Sequence, residues 1–128
     1  MGPEIFHVKY ERRKKVMEID RNWVMKRLSE MPYEIEEAEH GVIEACLDVE
    51  KAKRGLAEKE AALYNEGKVE GKNEAQRKAC LLSLTADERA AVAANEESLA
   101  NCRRDYNRKL NDFSAMRAIA RLLAGEVE

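Results

Sequence analysis

The chain has 128 residues, enough for one ordinary domain, and charged residues make up 38% of it against 5% aromatics. Such a mixture is typical of long helices and leaves little bulk for a wide core. Net charge is only −2, but it is unevenly spread. Lys9 to Arg27 holds eight basic and three acidic residues, and Tyr33 to Glu66 ten acidic and four basic. No stretch approaches the ~18 apolar residues of a membrane span. No apolar signal core is read at the N-terminus. Cys46, Cys80 and Cys102 have no paired spacing, which fits free thiols in a reducing compartment. The expected location is the cytoplasm.

Residues 1–8 lack a period and read as an arm. From Lys9, the residues Val16, Ile19, Trp23, Val24, Leu28 and Met31 form a stripe at three- and four-residue steps, the signature of an amphipathic helix over 9–31. Pro32 disfavours helical backbone at the residue before it and suits a first helical turn itself. The expectation is a break at Met31–Pro32 and a new helix over 32–65.

In that second helix Ile35, Val42, Val49, Leu56 and Leu63 recur every seven residues, with Ala38, Ala45 and Ala52 three residues after the first three. These are the a and d positions of a coiled coil. Alanine at d removes bulk and favours a close antiparallel partner. Gly41 and Gly55 lie on one flank and read equally as a helix crossing or as tolerated surface glycines. "YNEG" supplies the stop, since Asn65 and Gly67 both tolerate left-handed backbone.

Asn73 with Gln76 forms a capping-box pair opening a short helix over 73–84, and Thr85 with Glu88 forms another opening the last helix, 86–124. The seam of the last helix is Val92, Leu99, Tyr106, Phe113 and Ala120, with Cys102, Leu110, Met116 and Leu123 beside it, and Asn95 and Lys109 interrupt it. The compact turn requires the long helices to lie antiparallel. The fold class is therefore all-α: a long antiparallel, coiled-coil-like helical hairpin with an N-terminal helix and a short corner helix, in a single domain. A bare hairpin buries little, so a homodimer is expected.

Four motifs carry the functional question. "GKVEGKN" superficially suggests a phosphate loop, but its glycines are four apart, Asn73 stands where Ser or Thr would hold magnesium, and a helix precedes it. Lys68, Lys72, Arg77 and Lys78 nonetheless form a basic cluster at the corner, an anion-site candidate beside helix-start N–H groups. Glu37 and His40 spell E-x-x-H, as do Glu4 and His7, yet His40 falls at an outward f position, unlike a di-metal ligand. Lys9, Arg12, Arg13, Lys14 and Lys15 form the densest positive run, near Tyr10 and Trp23, and are the candidate nucleic-acid contacts. Against this, Trp23 on the apolar stripe reads as core, and the second basic face, from Arg103 to Arg121, reads as a counterpart of the acidic helix. No catalytic, metal or cofactor residues are assigned, and an enzyme is not expected.

The stretch "YNEGKVEGKNEAQRKA", Tyr64 to Ala79, together with "MRAIARLLAGE" near the C-terminus, resembles a group of small helical proteins encoded by bacteriophages and prophages. The resemblance covers about Pro32 to Leu123. That group has no assigned activity, and its genes tend to lie among phage early and recombination genes. The resemblance implies a phage context and a bacterial host cell. The expectation is a non-enzymatic interaction protein that binds a host or phage protein of nucleic-acid processing or defence. Direct nucleic-acid binding through the basic N-terminal helix is the alternative.

Overall fold

A computed structural model describes the backbone of residues 3–125 and the side chains of residues 21–125. Three helices account for almost all of it: α1 (Pro3–Asn65), α2 (Glu74–Leu84) and α3 (Ala86–Leu123). The described residues contain no strand. None of their helices is long and apolar enough to cross a membrane. The chain divides into two compact units, one of Met1–Glu37 with Asn107–Glu128 and the other of Ala38–Tyr106. In each unit a length of α1 packs on a length of α3.

The expected break at Met31–Pro32 is absent. Helix α1 starts at Pro3 and passes through Pro32 to Asn65. The segments read as an arm from Pro3 on, an N-terminal helix and a long helix are thus one element. The physical reason lies in the phase of the apolar stripe. Leu28 and Ile35 are seven residues apart, as are Met31 and Ala38, so the seam crosses the proline without a slip. Met31 is buried at 5% exposure, while Pro32 faces solvent. Packing of the seam offsets the backbone hydrogen bond that proline cannot make.

In the unit Ala38–Tyr106 the direction of pairing is fixed by three cross-helix contacts. Arg89 Nη2 lies 3.0 Å from Glu60 Oε1, Lys53 Nζ lies 3.6 Å from Glu96 Oε1, and Arg103 Nη2 lies 3.9 Å from Cys46 Sγ. The α1 members descend by seven while the α3 members ascend by seven, so the helices run antiparallel. All three pairs lie at the same flanking position of the heptad, where long polar side chains reach across an apolar seam. The seam buries Ala45, Val49 and Leu63 on α1. On α3, Val92, Asn95, Leu99, Cys102 and Tyr106 are half-buried at alternating three- and four-residue steps. The alanines keep this core thin.

No atom lies within 4 Å of a Cβ built on Gly41 or Gly55, so neither marks a helix crossing within the chain. Cys46, Cys80 and Cys102 are free thiols.

In the other unit Val24 and Met31 are the buried residues among those described. Phe113, Met116, Ala120 and Leu123 continue the α3 stripe there. Trp23, expected in the core, is instead 54% exposed, and its neighbour Val24 takes the inward position. The two sit one residue apart, 100° around the helix, so only one can face the seam.

The start of α3 also differs from expectation. Thr85 is fully buried, and its hydroxyl does not cap α3. It donates to the Leu81 carbonyl at 2.7 Å and accepts from Arg89 Nε at 3.0 Å. The backbone N–H of Thr85 also donates to Leu81 O, leaving α2 and α3 joined through this single residue. A hydroxyl shut away from water must find partners, and the last turn of α2 supplies them.

Candidate interaction surface

The corner between α1 and α2 carries one of the two basic clusters expected as a site. Its shape comes from backbone requirements. Gly67 takes φ +67° just past the end of α1, and Lys68 N–H donates to Leu63 O. Gly71 takes φ +156°, and a Cβ there would meet Arg77 N at 2.6 Å. Asn73 caps α2, its Oδ1 accepting from Gln76 N at 2.8 Å. Gln76 Oε1 accepts from Lys72 N at 2.9 Å, one residue earlier than a standard capping box would place it.

The four basic side chains of the expected anion site stand on this frame. Lys68, Lys72, Arg77 and Lys78 are all exposed. Lys68 Nζ pairs with Glu66 at 2.9 Å. That hydrogen bond and charge hold the Glu66 carboxyl below its ordinary range. The second cluster, Lys9, Arg12, Arg13, Lys14 and Lys15, has its side chains outside the described residues.

His40 is exposed and pairs with Glu44 at 3.0 Å, one turn on, rather than with Glu37. The described residues contain no group of His, Cys, Asp or Glu placed to hold a metal. The basic face of α3 is divided among several environments. Arg103 reaches Cys46, Arg104 bonds Asn101 on its own helix, and Arg117 lies 5.8 Å above the Phe113 ring.

Within the unit that pairs residues 21–37 with α3 from Asn107, two concavities open between the helices. One, of about 370 Å³, is lined by Arg27, Met31, Glu34, Ile35, Arg108, Lys109 and Asp112. Its charges are paired in part, and the buried Glu34 Oε2 accepts no hydrogen bond. Arg27 lies 2.8 Å from Glu30 and 3.0 Å from Glu34 Oε2. These carboxylates, Glu34 first, hold the guanidinium pKa above its ordinary value.

The other concavity is a groove of about 260 Å³ at the end of α3, lined by Arg21, Val24, Met25, Ala120, Leu123 and Ala124. Arg21 donates to the Leu123 carbonyl at 2.7 Å, neutralising one of the last bare carbonyls of the helix. Close to these residues in the sequence, Trp23 is 54% exposed and Leu122 69%, and Met25 itself is 62% exposed. The sequence did carry a signal for these residues. Met25 and Leu122 fall off the seven-residue seam, and a large apolar side chain off the seam is available to something else.

Comparison with protein-family models, with curated proteins and with solved structures finds no match.

Proposed function

We propose that the protein is a non-enzymatic interaction protein of phage type, and that the groove at the end of α3 docks a host or phage protein of nucleic-acid processing or defence. The observation that carries the binding surface is the apolar groove bounded by Arg21, Val24, Met25, Ala120 and Leu123, with Trp23 and Leu122 more than half exposed nearby in the sequence. Tryptophan, tyrosine, methionine and arginine are the side chains that anchor protein interfaces, because each gives a large apolar contact area and several add a polar handle. Arg21, already fixed on Leu123 O, supplies a cation at the groove edge. The phage context is supported by the likeness of the Tyr64–Ala79 corner to phage-encoded helical proteins.

Among the described residues, Arg27 and Glu66 are displaced from their ordinary titration range, each by an ion pair.

The test starts from capture by the full chain in host lysate and identification of the retained protein. That protein is then purified and titrated against wild type and against Trp23→Ala, Met25→Ala and Leu122→Ala. At least a tenfold loss of affinity for one of the three is expected. A purified partner that binds all three variants as well as wild type would place the interface elsewhere.

A further inference from the structure

In the unit Ala38–Tyr106, the face of α1 turned away from α3 carries a second stripe that the packing leaves unused. His40, Ile43, Leu47, Glu50, Arg54, Ala57, Ala61 and Tyr64 follow one another at three- and four-residue steps, so they line one side of the helix. Ile43 is 52% exposed, Leu47 58% and Tyr64 57%, and Glu50, Arg54, Ala57 and Ala61 are exposed as well. The order along the stripe is two large apolar residues, an acid, a base, then two alanines. Read backwards, that order is its own complement.

We infer that this stripe is a homodimer interface, in which α1 of one chain lies antiparallel on α1 of a second copy about a two-fold axis between Glu50 and Arg54. On that axis Glu50 faces Arg54 of the partner subunit, and Arg54 faces Glu50 of the partner subunit. Leu47 meets the partner's Ala57 and Ile43 meets the partner's Ala61, large side chain against small, so the backbones approach closely and knobs fill holes. His40 meets the partner's Tyr64. Two-fold contacts of this kind are isologous: one patch satisfies itself twice. Neither Glu50 nor Arg54 has an ion pair within the described residues, so both are available across the axis.

Charge complementarity argues for a second copy over a smaller ligand: Glu50 and Arg54 are exposed neighbours on the stripe, and an identical stripe laid antiparallel sets each charge against its opposite. The stripe lies in the unit Ala38–Tyr106 and shares no residue with the groove at Arg21 and Met25, so the two proposals stand or fall separately.

The experiment is charge reversal with rescue, read by sedimentation equilibrium on the full chain at micromolar concentration. Wild type should have twice the chain mass. Glu50→Arg alone sets two arginines against each other across the axis, as does its mirror image Arg54→Glu with two carboxylates. Each should weaken dimerisation at least tenfold. The double variant E50R/R54E restores opposite charges and should return the dimer to within about threefold of wild type. Circular dichroism on each variant verifies that helix content is retained, as expected for exposed positions. A wild-type monomer would overturn the inference. So would a dimer indifferent to the single reversals, or single variants that dissociate without rescue in the double.

Discussion

Arg27 and Glu34 are joined across the turn of α1 that Pro32 interrupts. Pro32 has no N–H to give to the Leu28 carbonyl, and the Arg27 guanidinium spans that gap, 3.0 Å from Glu34 Oε2 and 2.8 Å from Glu30. The side-chain bridge replaces axial continuity that the main chain lacks. Arg27→Ala should therefore lower the melting temperature more in the wild-type chain than in the Pro32→Ala background. A double-mutant cycle followed by thermal melts measures the difference, and equal losses in both backgrounds would assign Arg27 an ordinary surface role.

Pro32→Ala itself should stabilise the protein. The ring is exposed, so its removal costs little packing. The substitution regains a helix hydrogen bond and relieves the clash with the preceding turn. Against a penalty of about 3 kcal/mol for proline inside a helix, an increase of about 1–3 kcal/mol in unfolding free energy is expected in urea titrations.

The two corner glycines should respond differently to alanine. At Gly67 there is open space and only the left-handed φ of +67° opposes a side chain, a cost of about 1 kcal/mol. At Gly71 a Cβ would lie 2.6 Å from Arg77 N and 2.9 Å from Gln76 backbone and side-chain atoms, so the first turn of α2 must move. Gly71→Ala should destabilise by more than Gly67→Ala, roughly 2 kcal/mol or above, as measured by denaturant unfolding.

Thr85→Val tests the junction of α2 and α3. Valine keeps the shape but removes the donor to Leu81 O and the acceptor for Arg89 Nε. A loss of about 1–2 kcal/mol is expected for a fully buried hydroxyl with two partners. Thr85→Ser, which keeps the hydroxyl, should cost less on that account and lose mainly the methyl packing.

Glu66 should titrate below the ordinary carboxylate range, because Lys68 bonds and attracts its charged form. A depressed folded-state pKa gives stability that is present above the unfolded value and disappears as pH falls through the folded one. Lys68→Ala should move the Glu66 midpoint up in a carbon-detected NMR titration. Both groups are more than half exposed, so the melting temperature at neutral pH should stay within error.

The seven-residue code was legible because alanine, valine and leucine at fixed spacing admit one periodic reading. It located α3's stripe from Val92 to Ala120 and the antiparallel pairing. The proline was misread because its local preference was weighed without the phase of the stripe on either side, where Leu28 and Ile35 already agree. Thr85 was misread for a related reason. Its spacing from Glu88 spells a cap, but only burial shows that the hydroxyl is drawn back to Leu81. Trp23 and Val24 were both read onto the stripe, but they compete for one inward direction, and Val24 takes it. The groove beside Met25 joins residues from the first and last thirds of the chain, a proximity that no local pattern encodes.

The register of α1 against α3 also sets an order of assembly. Glu60 and Arg89 are 29 residues apart in the chain, Cys46 and Arg103 are 57 apart, and Arg21 and Leu123 are 102 apart. Loop-closure entropy grows with each step away from the corner, but an already formed neighbour shortens the loop still to be closed. The pairing should therefore zip from the corner, with Gly67, Gly71 and Thr85 acting as its nucleus. Opening runs the other way, so amide protons around Val24 and Leu123 should exchange first and those around Leu63 and Leu81 last. The end that bears Trp23, Met25 and Leu122 is the end that forms last.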